Sequence, residues 1–596
     1  MAERDHLKPE MTVPAAKRRV LRFDIFELDV RTGELRKRGV KLRLQGQPLQ
    51  VLEKLLKCAG NLVTREELRA EVWTADTFVD FDHSLHNAIA RIREALGDSA
   101  ESPKFIETLP RRGYRFIARV QEVGENTAAP RAQVEAGRIQ SLAVLPLDDH
   151  SSEPGHEYFA DGMTEALITS LAKIKALRVI SRTSAMQYKG ARKSLPQIAR
   201  ELNVEAVIEG SVLRSGNRVR IAAQLIHAAS DQHLWAESYE RDFQDVLSLQ
   251  SEIARRIAEE VRVTVTPQER ARLVGARQVN PEAHEQYLMG RYHWNKRSDA
   301  SVRKALAHFQ RAIDSDPTYA PGYAGLADCY TILGYYNSLS PQDGYGKGHA
   351  AASKALALED SLAEPHATLA VIKRDFEWDW AGAEQEFQRA IELNPGYAEA
   401  FHWRSTMLSM LGRHDDAVTE KKKAVAMDPL SVVITTDLAR MFYFNREYGR
   451  AVEQYRKALE MDANFSSAHL WLAQAYQQKG LLDEAMTALN IGASLAADSA
   501  YARARMGYGL AVAGKREEAK LVLDLLRSSS QNYVSPYDVS IVHLGLGQTG
   551  EAFAWLQKAL EERSPWMGYL GVEPQMDALR SDPRFGEMLR RVGLSA

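Results

Sequence analysis

The sequence predicts a multidomain chain of α+β class. A small strand-and-helix module comes first, a small mixed α/β domain follows, and an all-α repeat solenoid fills the second half. Three observations carry this. The chain has 596 residues, too many for one hydrophobic core and enough for about three to five domains. Its apolar pattern switches from strand-like runs to helical stripes near the N-terminal end, alternates between 139 and 265, and is helical beyond 282. Small residues also recur every 34 residues through the last part.

Composition is that of a globular protein, with 45% hydrophobic and 26% charged residues. The net charge of −2 decides nothing about nucleic acid, but its distribution is informative. Residues 17–120 hold 21 Lys/Arg against 15 Asp/Glu, a surplus of +6, which leaves −8 for the remainder. A basic end on an acidic chain points to an anionic partner at that end. The two cysteines, Cys58 and Cys329, are far apart and belong to no C-x-x-C or Cys/His cluster. No disulfide framework, metal site or cofactor is expected, and a reducing compartment fits. The opening MAERDHLKPEMTVPAAKRR has no apolar core of a signal peptide. The longest apolar run, SLAVLPL at 141–147, is far short of the roughly 18 residues of a spanning helix. A cytoplasmic protein with no membrane partner is expected.

After a disordered tail (1–19), residues 20–120 form the first module. LRFDIFELDV and KLRLQ have strand character, with turn-rich RTGELRKRGV between them. QGQPLQVLEKLLKCAG then carries Leu49, Leu52, Leu55 and Leu56 at helical spacing and ends at Gly60. Thr64 and Glu67 form a capping box, in which each side chain can satisfy the other's backbone N–H. A short helix, REELRAEVW, and a loop lead to HSLHNAIARIREALGD. There Leu85, Ile89, Ile92 and Leu96 fall on one face, and His83, Asn87, Ala90, Arg91 and Glu94 fall roughly opposite. Asn and Arg one turn apart can read adenine and guanine edges in a major groove, although any solvated helix face carries polar residues. FIETLPRRGYRF closes the module as a hairpin with Arg111 and Arg112 at its tip. Tyr114 and Phe116 read as core that anchors it.

Strands, two helices, a longer amphipathic helix and a basic-tipped hairpin are, in that order, the parts of a winged helix-turn-helix. VTREELRAEVW, HSLHNAIARIREALGD and FIETLPRRGYRF together resemble the OmpR/PhoB-type transcriptional regulatory domain, over about a sixth of the chain. The resemblance implies that the 83–97 helix enters the major groove and that the hairpin is a wing touching the minor groove or backbone. A narrow minor groove concentrates negative potential and suits Arg, and Gly113 gives the crowded tip backbone freedom. Position by position, it implies base contact by Arg91 and phosphate contact by Arg93 and His83. It also implies an aromatic, Trp73, near the backbone, and it leaves Ala90 where some members carry Arg. Ser84 and Asn87 complete the expected recognition surface. Only about 20 residues precede the module, so no receiver domain is expected. The polar stretch 121–138 reads as a linker, with no membrane span.

In 139–265, RIQSLAVLPL and LRVISRT read as strands and GMTEALITSLAKI and SLPQIAREL as helices. AVIEGSVLRSGNRVRIAAQLIHA reads as a hairpin around SGN, and DVLSLQSEIARRIAEEV as a closing helix. This is a mixed-sheet α/β domain. VEAVIEGSVLRSGNRVRIAAQL and LWAESYERD are similar to the N-terminal module of TolB. Asp148, Asp149, His150 and Asp161 lie close in sequence but read as a solvated loop.

Residues 282–590 repeat. Asn394-Pro395, Asp428-Pro429 and Asp462-Ala463 are spaced by 34, and so are Ala383, Ala417, Ala451, Ala485 and Ala519. Gly412, Gly480 and Gly514 keep the register with Arg446 interrupting, and Gly547 and Ala552 continue it at 33. This is the tetratricopeptide signature, with small residues expected to allow close helix packing. Asp316-Pro317 lies 78 residues before Asn394, two repeats plus ten, which places an insertion near YNSLSPQDGYG at 336–346. About eight repeats and a capping segment after about 565 are expected. Trp403, Tyr443, Trp471 and Tyr476 read as inter-repeat core.

The combined reading is a one-component, sequence-specific DNA-binding transcriptional regulator with no enzymatic role. Its α/β and repeat regions would sense a ligand or bind a protein partner; its partners would be double-stranded promoter DNA and a protein or peptide in the repeat groove, RNA polymerase being one candidate, with a homodimer on DNA. The alternative is a repeat scaffold whose winged helix binds protein rather than DNA.

Overall fold

The computed structural model describes residues 19–595, except 31, 38–39, 43, 45, 73–80, 101–102, 110–111, 119, 125–138, 152–156, 264, 275–278 and 529–532. The chain divides into two compact units, Met1–Ala136 and Gly137–Ala596.

The first unit opens with strands β1 (Arg19–Phe23), β2 (Phe26–Asp29), β3 (Glu34–Lys37) and β4 (Val40–Lys41). Helix α1 (Gln47–Lys57), strand β5 (Leu62–Thr64) and helices α2 (Arg65–Val72) and α3 (Phe81–Leu96) follow. Strands β6 (Ile106–Leu109), β7 (Gly113–Phe116) and β8 (Gln121–Gly124) complete it. The sheets run β4-β3-β2-β1-β8 and β5-β7-β6. Two expectations change. Part of the turn-rich segment becomes β3, because Leu35 is fully buried opposite Leu28. Gln121–Gly124, expected in the linker, instead pairs antiparallel with β1. The core joins sheets to helices: Leu52, Leu55, Ile89 and Ile92 are buried against Phe23, Phe26, Phe105 and Phe116. Phe23 meets Phe116 edge-on at 5.0 Å, which fixes the hairpin against the first sheet.

The second unit begins with strands β9 (Ser141–Val144) and β10 (Asp148–Asp149), helix α4 (Glu157–Ala172), strand β11 (Arg178–Val179) and helices α5 (Arg182–Ala185) and α6 (Leu195–Leu202). Then come strands β12 (Ala206–Ser215), β13 (Arg218–His227) and β14 (Gln232–Asp242) and helices α7 (Val246–Glu260) and α8 (Pro267–Val274). The main sheet order is β11-β9-β12-β13-β14. It is parallel from β11 to β12 and antiparallel beyond, so the sheet is mixed. Asp161 departs from the solvated-loop reading. It is buried on α4, where Lys189 donates to it at 2.7 Å and Arg182 lies 3.7 Å away.

Eight helix pairs follow among the described residues: α9 (Pro281–Trp294) and α10 (Asp299–Ser315), α11 (Ala320–Tyr335) and α12 (Pro341–Leu358), α13 (Ala363–Ile372) and α14 (Trp380–Leu393), α15 (Ala398–Met410) and α16 (His414–Met427). The rest are α17 (Val432–Phe444) and α18 (Tyr448–Met461), α19 (Ser466–Gln478) and α20 (Leu482–Leu495), α21 (Ala500–Val512) and α22 (Arg516–Ser528), α23 (Pro536–Gly545) and α24 (Thr549–Glu561). From α14 onward each second helix buries an alanine at the repeat position, with Ala383, Ala417, Ala451, Ala519 and Ala552 all at zero exposure. The glycines act differently from expectation. Gly412, Gly480, Gly514 and Gly547 lie at φ +72° to +81°, and a Cβ there would meet nothing within 4 Å. They end the first helix of a pair in the left-handed conformation rather than permitting close packing. Arg446 takes the same conformation at φ +63°.

The surplus of ten residues divides in two. Asp316 to Glu359, the caps of α10 and α12, spans 43 residues. Glu359 to Asn394 spans 35, where a π-helical turn at Lys373–Glu377 accommodates the odd residue. Asn394, Asp428, Asp462 and Ala496 then follow at 34.

The segment after α24 forms two 3-10 turns (Pro565–Tyr569 and Pro574–Leu579) and helix α25 (Pro583–Arg591). It packs on α24, with Arg584 over the Phe553 ring at 4.0 Å. It also turns back along the inner face of the array. Arg440 donates to Tyr569 at 2.6 Å, Tyr443 to Glu573 at 2.9 Å, and Arg505 to Gln575 at 2.6 Å. Trp566 stacks on Tyr501 at 5.3 Å. The Trp380 indole on α14 donates to the Val592 carbonyl at 2.8 Å, so the tail ties the last pair to the third.

Candidate nucleic-acid interface

The interface is built from α2, α3 and the β6–β7 hairpin. The start of α2 is fixed locally. The Thr64 N–H donates to the Glu67 carboxylate at 2.7 Å, and the Glu67 N–H donates to Thr64 Oγ1 at 3.2 Å. This is the capping box read from sequence, and it holds the Glu67 carboxyl below its ordinary range. On α3, Leu85, Ile89, Ile92 and Leu96 are buried at 3% exposure or less, which forces the other face outward.

That outward face carries Asn87, Ala90, Arg91 and Glu94, all exposed, with Ser84 half-buried beside them. His86 is exposed as well, a residue the sequence reading left out. His83 lies on α3, and its side chain is outside the described part. Arg93 differs from its neighbours. It is partly buried, and its Nη2 donates to the Ile106 carbonyl at 2.9 Å and to Thr108 Oγ1 at 2.8 Å. It therefore ties α3 to the first strand of the hairpin. Asp98 reinforces that tie by accepting from the N–H groups of Lys104 at 2.7 Å and Ile106 at 2.8 Å.

In the hairpin, Leu109 pairs with Gly113 and Thr108 with Tyr114. Tyr114 and Phe116 are buried, as anchoring residues should be. Arg112 is exposed, and its N–H donates to the Leu109 carbonyl at 3.0 Å to close the turn. Arg111 and Trp73 lie outside the described residues. Gly113 has φ +146°, and a Cβ there would stand 2.1 Å from the Val63 carbonyl oxygen. What crowds it is β5 alongside rather than the tip. The result is a helix face offering an amide and a guanidinium, beside a hairpin whose turn presents a cation.

The second unit holds a separate cavity of about 1750 Å³. Glu165 and Arg182 of the α/β domain line it, together with Arg291, Asp328, Tyr335 and Arg440 of the repeats. Arg291 bridges the two sides, 2.6 Å from Glu165 and 3.4 Å from Asp328. Burial pushes the Asp328 carboxyl up to about 6, although Arg291 and Thr368 act against it. Further along, Ser184 donates to Asp428 at 2.5 Å, and the Leu430 N–H donates back to Ser184 at 2.8 Å. The α/β domain is thereby clamped to the first and fourth pairs. Among the described residues no group of three or more His, Cys, Asp and Glu is placed to hold a metal ion. Nor is any helix long and apolar enough to cross a membrane.

Comparison with known proteins follows this architecture. Residues 39–116 match the family model described as transcriptional regulatory protein, C terminal. Residues 138–256, read from sequence as similar to the TolB N-terminal module, match the HilA/YgeH-like transcriptional regulator, second domain. Residues 386–419 and 445–506 match tetratricopeptide repeat models. Over 300 residues the chain is 33% identical to a Rhizobium meliloti protein named "Putative adenylate cyclase 3", a match covering 50% of this chain and 48% of that one. The chain thus spans about half the length of that relative. It is 24% identical to the transcriptional regulator HilA of Salmonella typhimurium, covering 71% of this chain and 72% of HilA. It is 37% identical over 87 residues to the cholera toxin transcriptional activator of Vibrio cholerae, covering 15% of this chain and 30% of that protein. The chain carries an OmpR/PhoB-type domain, a HilA-like regulator domain and C-terminal tetratricopeptide repeats.

Proposed function

We propose that this chain regulates transcription by binding specific double-stranded DNA through α3 and the hairpin, with the second unit as its input side. The observation that carries the reading is the outward Asn87–Arg91 face on α3, held beside the Arg112 turn by the Arg93 tie. Arg91 and Asn87 match the bidentate chemistry of guanine and adenine edges. His83, Ser84 and Ala90 complete the groove face, Arg111, Arg112 and Trp73 serve the backbone and minor groove, and Gly113, buried against β5, seats the hairpin that presents them. Regulators among the relatives support the same assignment. The adenylate cyclase of the relative's name is not carried over, because about half of that protein lies outside the match.

On the input side, the tail occupies the inner face of the later repeats, where a partner would otherwise dock. The remaining cavity, of about 1750 Å³, exceeds the roughly 300–1,000 Å³ of an ordinary small-molecule pocket. Its size suits a peptide segment of a protein partner. A DNA partner agrees with a cytoplasmic protein.

The test is a binding series on duplexes selected from random sequence. Arg91→Ala should cost about 1–3 kcal/mol at one base position. Arg111→Ala and Arg112→Ala should weaken binding to all sequences and reduce the salt slope by about 1 each. Equal affinity of all variants for every duplex would defeat the reading and favour a protein-binding winged helix.

A further inference from the structure

The second helices of the repeats share one register, so they can be compared position by position within the chain. On α18 the exposed face carries Glu453, Arg456, Lys457 and Glu460. At the same four positions one repeat later, α20 carries Thr487, Asn490, Ile491 and Ser494, with every charge removed. One repeat further, α22 carries Leu521, Asp524, Leu525 and Ser528. The position of Ile491 and Leu525 is Arg389, Lys423 and Lys457 in the three earlier repeats. Yet the face has not become interior. Ile491 and Leu495 are 42% exposed, Leu521 64% and Leu525 60%. An array that holds this row charged and then strips it in two adjacent repeats has an apolar surface that none of the described residues of the second unit covers. Four such side chains expose on the order of 300–400 Å² of apolar area, the scale of the largest apolar patch on a typical monomer, which is often functional.

We propose that this face of α20 and α22 docks against the same face of a second copy of the chain. The charge pattern selects that occupant. An acidic or basic partner would require a surface of one sign. Here the exposed charges of the two helices carry both signs: Arg516, Lys520 and Arg527 against Asp483, Glu484, Glu517, Glu518 and Asp524. A twofold axis brings like faces together, so a patch that pairs with itself needs both signs at its rim and matched aliphatic groups at its centre. Thr487, Asn490, Ser494 and Ser528 each supply hydrogen-bond capacity that suits a copy of themselves. Asp524 of one copy can meet Lys520 or Arg527 of the other. The interface requires no DNA and stands independently of the reading of α3.

Sedimentation equilibrium of the full chain without DNA tests this, at micromolar concentrations and over a range of dilutions. The wild type should be a concentration-dependent dimer. Ile491→Lys with Leu525→Lys restores the residue type that Lys423 and Lys457 carry and should give a monomer with an unchanged melting temperature. Should that pair fail to fold, Leu521→Thr, the residue of Thr487 and Thr419, should weaken the dimer by about tenfold, or about 1.4 kcal/mol. A wild type that stays monomeric throughout, or a dimer that all these variants leave intact, overturns the proposal.

Discussion

Asp538 is fully buried near the start of α23, and among the described residues neither of its carboxylate oxygens has a hydrogen-bond partner. Burial pushes its carboxyl up to about 6, with Arg505 acting against it. A raised acid holds its proton in the folded chain at pH values where the unfolded chain has released it. The contribution of this group to stability is therefore greatest below its unfolded value near 4 and is lost as pH rises toward about 6. Asp328 has the same direction and window. Asp538→Asn should raise stability at pH 7 by about 1–3 kcal/mol and reduce the loss between pH 4 and 6. Urea denaturation at the two ends of that range measures both. At this scale the sequence was a good guide to which side chains face outward on α3, because helical period alone decides it. It could not place Arg93, whose acceptors lie 13 and 15 residues away on another element. Asp161 was misread for a similar reason: Lys189, 28 residues on, neutralises it.

Elements were legible where their causes are local. The Thr64–Glu67 box lies within four residues and formed as read. The 34-residue period set the helix pairs, and the extra length near 336–346 fell where the spacing put it. Strand β8 was not legible, because its partner β1 lies about a hundred residues earlier. The glycine positions were found for an incomplete reason, and the difference is measurable. Gly480→Ala places a methyl in open space, so a packing account foresees no cost. The φ of +74° instead foresees a loss of about 1–2 kcal/mol from left-handed strain alone. Arg446, already in that conformation, would gain by becoming glycine, less whatever its 2.8 Å ion pair with Asp577 contributes. Thermal unfolding of both variants decides between the accounts.

At the scale of the molecule, an open repeat array is held by neighbour contacts alone and can fray from either end. Here Trp566 gathers rings from distant pairs, lying 6.2 Å from Tyr335, 6.3 Å from Trp471 and 5.3 Å from Tyr501. Trp566→Ala should cost about 3–5 kcal/mol. Hydrogen exchange should show the early pairs opening separately from the late ones, while wild type protects them together. The direction of the tail was invisible in sequence, since its apolar residues suit an outer cap and an inner strut equally well. The strut also constrains history. Most solenoids can gain or shed a unit by duplication, because nothing measures their length. In this chain the final helix has to arrive at Trp380, and one more or one fewer pair would carry it past the landing point. Descendants of this protein can vary its lining one side chain at a time, but the number of repeats between the third pair and the tail is fixed by that span.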